Sequence, residues 1–333
     1  MSQYMIISTY LPEQILSNHD LEKEFPEWSA DKIADKLGVC TRHVAGASET
    51  ALDLAECACR KLFEKVPDAR SKVDFLLFCT QSPDYILPGN AHILQHRLGL
   101  STSIGALDYN LGCSGYVYGL ALAKGVLSSK IAGNLLLVTA ETYTKRINAK
   151  DKGNRSIFGD GATATLVTAA DAEKIGEFVL GTDGSGFENL LVRNGGTRNP
   201  VEVDAAEKLC GSGNIYTDND IFMDGPAIFN FTIDRIPDLV NQTLAANSLT
   251  RDDIKLYIFH QANAYILNFL RKMVRIPADR FYLNMRSTGN TVSNTIPIAL
   301  DDVSAQGLVK PGDKILLAGF GVGYSYGATV ITI

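Results

Sequence analysis

The sequence contains no CxxC pair, no long apolar run and no excess of basic residues, and each absence argues against a class of protein. Its six cysteines are scattered, which indicates neither a disulfide framework nor a zinc site. The apolar runs are far shorter than the roughly 20 residues that cross a bilayer. The opening "MSQYMIISTY" lacks the basic start and long apolar stretch of a signal peptide. We therefore expect a cytoplasmic protein without a metal or a membrane partner.

The charge balance argues against nucleic acid as a partner. The chain has 31 Lys and Arg against 37 Asp and Glu, a net charge of -6. Binding to a phosphate backbone needs a basic face that displaces counterions, and this total does not favour one. The 333 residues are more than one compact unit usually needs. Two domains, or one duplicated domain, are therefore expected.

Short apolar runs alternate with longer helical patterns along the chain. The runs "VDFLLFCT", "IGALDYN" and "NLLLVTAE" are separated by patterns of helical spacing, one of them around residues 91–98. In "ETALDLAECACRKLFEKV", the same spacing assigns Cys57 and Cys59 to a helix rather than to a metal. Such alternation is typical of βαβ units. The predicted class is α/β with a largely parallel, buried sheet.

The two ends of the chain resemble each other. "VDFLLFCT" is echoed by "IKLYIFHQ", "GNLLLVTAE" by "GDKILLAGF", and "GATATLV" by "GATVITI". Repetition at one long displacement indicates duplicated halves, which we place at residues 1–175 and 176–333. In this register "LGCSGYVYGL" falls opposite "TGNTVSNTIP". Because ligands of α/β sheets gather at the carboxyl ends of strands, special residues at these ends are expected to meet.

Cys113 lies where a strand pattern gives way to a helical one, between Gly112 and Gly115. Glycines permit a tight turn and a close substrate approach. A helix N-terminus stabilises the thiolate, which is the nucleophilic form of cysteine. The alternative is a small residue packed beneath a helix start. We interpret Cys113 as a candidate nucleophile in the half at residues 1–175.

The half at residues 176–333 supplies two polar candidates. His260 follows the apolar run "IKLYIF", and a histidine there can donate a hydrogen bond to an oxyanion or move a proton. Asn290 follows Gly289 in "STGNTVSNTIP", a loop that can direct an amide into a cavity. The alternatives are a histidine satisfied by backbone groups and an ordinary asparagine turn. Together with Cys113 they form a predicted catalytic set.

A glycine-rich segment, "GFGVGYSYG", lies close to the C-terminus. Its backbone N–H groups can form an oxyanion hole. The alternative is a dinucleotide-binding loop. Such a loop is followed by a helix and then by a second strand with a ribose-binding acid, whereas a strand follows directly here. The oxyanion hole is the interpretation we favour.

A cysteine, a histidine and an asparagine in these contexts make the sequence similar to the thiolase superfamily of condensing enzymes. It most closely resembles β-ketoacyl-acyl-carrier-protein synthase III, from "GVCTRHVA" through "FGDGATATLV" to the glycine-rich end. The resemblance implies a five-layered α-β-α-β-α fold, a homodimer and no permanently bound cofactor. It also implies transfer of an acyl group from coenzyme A to Cys113, then decarboxylative condensation with a malonyl thioester on acyl carrier protein. His260 and Asn290 would stabilise the enolate, and the backbone N–H groups of Cys113 and Val322 the tetrahedral oxyanion.

The resemblance also suggests substrate contacts, with several departures from the family pattern. Lys152 stands where an arginine usually stacks on the adenine, and lysine stacks less well. Ala264 or Tyr265 replaces a common arginine, and Asn230 a common lysine, which weakens the expected phosphate contacts. The expected donor is therefore an acyl-coenzyme A other than acetyl-coenzyme A, or an acyl group whose phosphopantetheine arrives on a carrier protein. The implied coenzyme contacts are Trp28, Lys36, Lys152, Gly153, Phe229, Ala262, Asn263 and Phe320.

Two further features concern the acyl group and the carrier protein. Leu87, in "DYILPG", stands where the family often has an aromatic that reaches into the partner's acyl pocket, so a longer or branched chain is expected. Arg271, Lys272 and Arg275 form a basic patch after "HQAN" that suits an acidic carrier protein. A solvated helix face is the alternative for this patch.

Three functions remain open at this point. The first is the condensation described above, which Asn290 favours because simple acyl transfer has no enolate to stabilise. The second is an acyltransferase that passes the acyl group from Cys113 to a hydroxyl or an amine. The third is a noncatalytic subunit of a heterodimeric synthase, although such subunits usually lack the nucleophile.

Overall fold

Two β-sheets form the framework of the structure, a computed structural model that describes residues 5–211 and 213–333. Strands are numbered in chain order. The first sheet runs, from edge to edge, β1 (Ile6–Tyr10), β7 (Gly161–Thr168), β6 (Asn134–Glu141), β4 (Phe75–Cys79) and β5 (Gly105–Tyr109). The second sheet runs β13 (Leu256–Phe259), β14 (Lys314–Gly321), β15 (Ser325–Thr332) and β8 (Ile175–Thr182). Three two-stranded pairs are β2 (Ile15–Ser17) with β3 (Thr41–His43), β9 (Leu190–Val192) with β12 (Ile221–Met223), and β10 (Lys208–Cys210) with β11 (Asn214–Tyr216).

The two sheets repeat one arrangement of strand directions. In the first, β4 and β6 are parallel, and β7 and β1 follow antiparallel. In the second, β13 and β14 are parallel, and β15 and β8 follow antiparallel. The strands that correspond are the ones whose sequences echo each other, so the duplication is visible in the fold. The division at residues 175 and 176 stays a prediction; β8 begins at Ile175.

The expectation of a largely parallel sheet was wrong for both halves. Among the strands that the structure describes, only β4 with β5 and β6, and β13 with β14, run parallel. A parallel connection needs a crossover element over a sheet face. The segment between β6 and β7 contains a 3-10 helix at Tyr143–Arg146 and one short helix at Lys152–Ile157, and β14 is joined to β15 by a tight turn. Strand β7 therefore runs antiparallel to β6, and β15 runs antiparallel to β14.

The helices form three layers around the two sheets. Helices α3 (Ala51–Lys65) and α5 (Asn90–Leu98) pack on the outer face of the first sheet. Helices α6 (Gly115–Ser128) and α11 (Thr295–Ala305) lie between the sheets, and α9 (Gly225–Ala246) and α10 (Ala264–Met273) pack on the second sheet. The layers follow the predicted α-β-α-β-α order. The helices are α1 (Asn18–Glu24), α2 (Ala30–Leu37), α3 (Ala51–Lys65), α4 (Ala69–Lys72), α5 (Asn90–Leu98), α6 (Gly115–Ser128), α7 (Lys152–Ile157), α8 (Ala169–Ala172), α9 (Gly225–Ala246), α10 (Ala264–Met273) and α11 (Thr295–Ala305).

Local sequence explains where the outer helices begin. Thr50 caps α3 because its hydroxyl oxygen accepts the backbone N–H of Asp53, and the Asp53 carboxylate in turn accepts the backbone N–H of Thr50. Asp224 caps α9 by accepting the backbone N–H of Ala227 at 2.9 Å. Cys59 is buried within α3 and Cys57 is half-buried beside it, as the helical spacing predicted. None of the helices that the structure describes is both long and apolar enough for a membrane span.

Candidate active site

Cys113 lies in the short turn that joins β5 to α6, and its side chain is buried. The turn closes with a 2.8 Å hydrogen bond from the Gly115 N–H to the Gly112 carbonyl. A Cβ at Gly115 would lie 2.5 Å from the Cys79 sulfur, and one at Gly321 would lie 3.0 Å from the Cys113 sulfur. These glycines are therefore needed for close packing around the thiol.

The surroundings of Cys113 favour the neutral thiol in the resting protein. Burial, with the nearby Glu141 carboxylate, raises the pKa of Cys113 to about 12. The backbone N–H groups of Cys113 and Val322 oppose this rise, because they hydrogen-bond the sulfur and favour its anion. Both predicted oxyanion donors thus lie at the sulfur, while their role in a reaction stays a prediction.

His260 follows β13, where its backbone N–H donates to the Ala318 carbonyl at 2.8 Å. The ring is 2% exposed and meets Phe320 edge-on, with ring centres 5.8 Å apart. Burial lowers the pKa of His260 to about 3, because the charged form loses hydration. The imidazole is therefore neutral near pH 7.

Two backbone hydrogen bonds fix the position of Asn290, independently of its side chain. Its N–H donates to the Ile157 carbonyl at 2.8 Å, and its carbonyl accepts from the Gly159 N–H at 3.0 Å. Gly289, just before it, has φ +65, in the left-handed region that glycine adopts readily. The Asn290 Nδ2 atom lies 3.4 Å from His260 Nε2. The amide and the imidazole therefore form one pair.

Cys113, His260 and Asn290 line one cavity of about 650 Å³, as the sequence predicted. Its walls are mostly apolar, as is usual for a site that binds a small molecule. Apolar lining residues include Leu37, Ile157, Leu190, Met223 and Ile228. Five of the predicted coenzyme contacts also line it, namely Lys36, Phe229, Ala262, Asn263 and Phe320.

The other predicted coenzyme contacts lie near α2 and α7. Trp28 Nε1 donates to Ser156 Oγ at 2.8 Å, and Lys36 Nζ lies 5.5 Å from the Trp28 ring centre. Lys152 forms an ion pair with Glu27 at 2.6 Å. The Gly153 N–H donates to Asn214 Oδ1 at 3.1 Å. Coenzyme binding by these groups stays a prediction, and the latter two would have to exchange their present partners.

The predicted basic patch lies at the C-terminal end of α10. Lys272 and Arg275 are exposed, and Arg271 is half-buried with its Nη1 donating to the Ile276 carbonyl at 3.1 Å. Leu87 lies in the segment between β4 and α5, beside exposed Tyr85 and Ile86. It is 79% exposed and outside the cavity lining of its own chain. A role of Leu87 in a partner's acyl pocket therefore stays a prediction.

Glu141, a buried carboxyl group at the end of β6, was not among the residues predicted from the sequence. Burial raises its pKa to about 8. Its oxygens accept the Gln81 backbone N–H at 3.1 Å and the hydroxyls of Ser82 and Ser293 at 3.1 and 3.2 Å. Glu141 thus joins the segment after β4 to the loop that carries Asn290. A charged residue closing the apolar run "NLLLVTAE" was a signal that could have found it.

Val292 and Thr295 were also missed, and both hold the histidine–asparagine pair. Val292 has φ +59 and is fully buried. A β-branched residue in this region is strained by about 1–3 kcal/mol. Its N–H donates to Asn290 Oδ1 at 2.9 Å, and its carbonyl accepts from Thr295 Oγ1 at 3.1 Å. No sequence pattern signals a left-handed valine.

The described residues contain no group of three or more His, Cys, Asp or Glu side chains placed to hold a metal. The duplicated, five-layered fold is that of the thiolase superfamily. Two family models match the chain, 3-oxoacyl-[acyl-carrier-protein] synthase III over residues 107–184 and the C-terminal part of that synthase over residues 244–333.

Individual relatives match over nearly the full length. A β-ketoacyl-[acyl-carrier-protein] synthase III of Caldanaerobacter subterraneus subsp. tengcongensis is 36% identical over 325 residues, 97% of this chain and 95% of the relative. A crystal structure of a 3-oxoacyl-(acyl-carrier-protein) synthase III is 44% identical, with a TM-score of 0.96 over 99% of this chain and 100% of that chain. A 3-oxoacyl-(acyl-carrier protein) synthase of Burkholderia xenovorans is 33% identical, with a TM-score of 0.88 over 99% and 94%. The chain belongs to the 3-oxoacyl-[acyl-carrier-protein] synthase III family.

Proposed function

We propose that the protein is a decarboxylating condensing enzyme that extends an acyl group bound to Cys113. The observation that carries this proposal is the cavity of about 650 Å³ shared by a thiol, a neutral imidazole and a carboxamide. The family membership supports it, since the relatives are named as synthases that act on acyl carrier protein.

In the first stage the Cys113 sulfur attacks the carbonyl of an acyl thioester. The thiol loses its proton, a bond forms between sulfur and the acyl carbon, and the leaving thiol takes up a proton. The tetrahedral intermediate carries a negative oxygen, and the N–H groups of Cys113 and Val322 are the donors proposed to hold it. Loss of one such donor typically costs about 3 kcal/mol in the barrier.

In the second stage a malonyl thioester loses carbon dioxide, and its carbanion attacks the acyl carbon on Cys113. The Cys113 sulfur leaves and regains a proton. The transient enolate oxygen needs donors fixed in advance. The pair of Asn290 and His260 supports this step, because the two groups face one cavity and the neutral imidazole adds no charge that would trap the anion.

Asn290 also favours condensation over simple acyl transfer to a hydroxyl or an amine. Such a transfer forms no enolate, so a carboxamide held beside the imidazole at 3.4 Å would have no partner in it. The retained thiol likewise argues against a noncatalytic subunit.

For substrates and partners, we propose an acyl-coenzyme A donor, an acyl carrier protein and a second copy of the chain. The basic patch of Arg271, Lys272 and Arg275 supports carrier docking at the end of α10. Two features support a homodimer: β5 is the last strand of its sheet, and Leu107 on it is 43% exposed. No permanently bound cofactor is part of the proposal. A cytoplasmic location is supported by six free thiols.

One experiment tests the nucleophile. The full-length protein is incubated with a panel of acyl-coenzyme A thioesters, and its intact mass is measured. One acyl adduct is expected on the wild type and none on Cys113→Ala, while Cys57→Ala, which removes a half-buried thiol on α3, keeps it. An undiminished adduct on Cys113→Ala would remove the proposed nucleophile.

A second experiment tests the reaction that follows. Malonyl carrier protein is added to the acylated enzyme, and carbon dioxide release is followed. Release that depends on the acyl adduct supports condensation, whereas transfer of the acyl group to an added alcohol or amine without release would support the acyltransferase alternative. Because the labelling panel orders the acyl donors by rate, it also reports the chain length that the cavity accepts.

A further inference from the structure

Tyr143 is a buried aromatic residue near the thiol, and the two-stage reaction gives it no role. It begins the 3-10 helix that follows β6, and it is 7% exposed. It belongs to one cluster of buried apolar residues with Cys113, Phe158 and Leu190. The ring centres of Tyr143 and Phe158 are 5.4 Å apart. Because the other three residues line the catalytic cavity and Tyr143 does not, the phenol ring packs behind that lining.

A hydrogen bond to Gln81 holds the Tyr143 ring in this position. The Tyr143 hydroxyl donates to Gln81 Oε1. Gln81 Nε2 in turn donates to Asn110 Oδ1 at 2.9 Å, and the Gln81 backbone N–H donates to Glu141 Oε1 at 3.1 Å. A Cβ at Gly112 would lie 2.6 Å from Gln81 Oε1. Gly112 directly precedes the thiol, so the pair of Tyr143 and Gln81 is fixed against the turn that presents the nucleophile.

The two stages of the reaction determine where the acyl chain on the sulfur can lie, and this step rests on the proposed function. The malonyl thioester must reach His260 and Asn290 through the cavity while the acyl group is still bound to Cys113. Two substrate chains cannot fill the same space, so the acyl chain must extend away from the entering thioester. The buried apolar residues around Cys113 that lie outside the cavity lining include Tyr143, and an apolar chain gains by being buried among them.

We propose that Tyr143 and Gln81 together limit the length of the acyl group that Cys113 carries, so that short acyl thioesters are accepted and long ones are rejected. A long chain would have to displace the phenol ring from Phe158 and break its hydrogen bond to Gln81. A hydrocarbon chain offers no group to replace that hydrogen bond. This limit lies within the chain that carries the thiol, and it opposes the longer or branched chain expected from Leu87.

The test compares acylation of the full-length protein by thioesters that differ only in the length of the acyl group. Propionyl-, butyryl- and octanoyl-coenzyme A share one coenzyme, so its contacts cancel in the comparison. Stopped-time intact mass gives the rate of adduct formation on Cys113. In the wild type we expect octanoyl transfer to be about a hundredfold slower than butyryl transfer. Equal rates for these two thioesters in the wild type overturn the proposal.

Tyr143→Leu shortens the side chain and removes the hydroxyl while keeping the position apolar. We expect octanoyl transfer to become faster by about tenfold or more, whereas butyryl transfer should change little. The ratio of the two rates is the decisive quantity, because a general loss of structure would slow both and would not favour the longer chain. Urea unfolding establishes that the variant is folded. An unchanged ratio in folded Tyr143→Leu overturns the proposal.

Tyr143→Phe isolates the contribution of Gln81, because it keeps the ring and removes only the hydrogen bond. A ring that is free to move should admit the longer chain in part. We therefore expect an octanoyl rate between those of the wild type and Tyr143→Leu. A wild-type octanoyl rate in Tyr143→Phe overturns the role of Gln81.

Tyr118→Leu is the matched control. Tyr118 is a half-buried tyrosine on α6, and its hydroxyl donates to the Gly181 carbonyl at 3.1 Å. The control should keep the wild-type ratio of rates, and an equal gain in octanoyl transfer there would overturn the role of Tyr143. The two proposals fail in different ways. Absence of an adduct from every thioester overturns the proposed function and this inference with it, whereas an adduct that forms at the same rate for every acyl length overturns this inference alone.

Discussion

Cys113 and Asn290 occupy corresponding positions in the two halves of the molecule, and the side chains there differ, a thiol in one half and a carboxamide in the other. Each follows a glycine, Gly112 or Gly289, in the turn before a central helix. In the first half that turn presents a thiol at the start of α6. In the second half a 3-10 helix at Val292–Asn294 lies between Asn290 and α11, and its Val292 N–H donates to Asn290 Oδ1 at 2.9 Å. Duplication thus provides two equivalent positions, whose local backbone differs.

The comparison predicts that Asn290→Ala separates the two stages of the reaction. The variant keeps the thiol and should still form the acyl adduct. Carbon dioxide release from malonyl carrier protein should fall by a factor on the order of 10²–10³, because one donor to the enolate is gone. The measurement compares adduct formation with release in the same preparation. Equal losses in both stages would show that the two corresponding positions do not have separate roles.

Glu141 and Gly321 form a second corresponding pair, at the carboxyl ends of β6 and β14. We expect Gly321→Ala to slow acylation by about 10²-fold, because the new Cβ would lie 2.9 Å from Cys113 Cβ and displace the thiol. Gly184→Ala is the control, since a Cβ there meets no described atom within 4 Å. Stopped-time intact mass gives the rates. A normal rate in folded Gly321→Ala would mean that the turn has room to adjust.

At the other position of this pair, Glu141→Gln should change how stability depends on pH. Burial raises the pKa of Glu141 from 4.5 to about 8. The folded protein therefore holds more protons than the unfolded chain between these values, and its stability falls as pH rises through them. Glutamine does not titrate, so the variant should gain on the wild type by about 3 kcal/mol between pH 5 and 8.

Urea unfolding at several pH values measures this difference. Glu64→Gln, at an exposed site on α3, is the control and should show no such trend. A difference between Glu141→Gln and wild type that stays constant with pH would show that the buried carboxyl does not titrate in this range.

The smallest effects concern the caps of the outer helices, α3 in the first half and α9 in the second. Thr50→Ala and Asp224→Ala should each lower the free energy of unfolding by about 1 kcal/mol. The loss at Thr50 should be the larger, because its hydroxyl also contacts Asp84 at 2.9 Å. Thr50→Ser keeps the cap and should be close to wild type in urea unfolding. An equal loss in Thr50→Ser would assign the effect to the methyl group.

Particular residues show what the sequence could predict. Cys113, His260 and Asn290 were found because each follows a strand-like run or a glycine, and strand ends in an α/β sheet converge. The layer order came from the resemblance to a family. Strand direction was missed because apolar runs have the same pattern in parallel and antiparallel sheets when both faces are buried.

The site residues that were not predicted from the sequence depend on contacts between segments that lie far apart along the chain. Glu141 meets Ser82 and Ser293 from distant segments. The contact of Thr295 Oγ1 with the Val292 carbonyl depends on the backbone angles of Val292, which tertiary packing imposes against the preference of valine. Residues that hold other residues in place are therefore harder to predict than residues that carry the reactive groups.

The open edge at β5 has a consequence for handling the purified protein. An unpaired strand with exposed apolar side chains is a template for intermolecular aggregation, and proteins commonly guard such edges with protruding charges. Asp108, the charged residue of β5, instead turns its carboxylate to the backbone N–H groups of Asn90 and Ala91, at 2.6 and 2.7 Å. A variant designed to prevent the proposed homodimer is therefore expected to precipitate more readily on concentration, even when its melting temperature is unchanged.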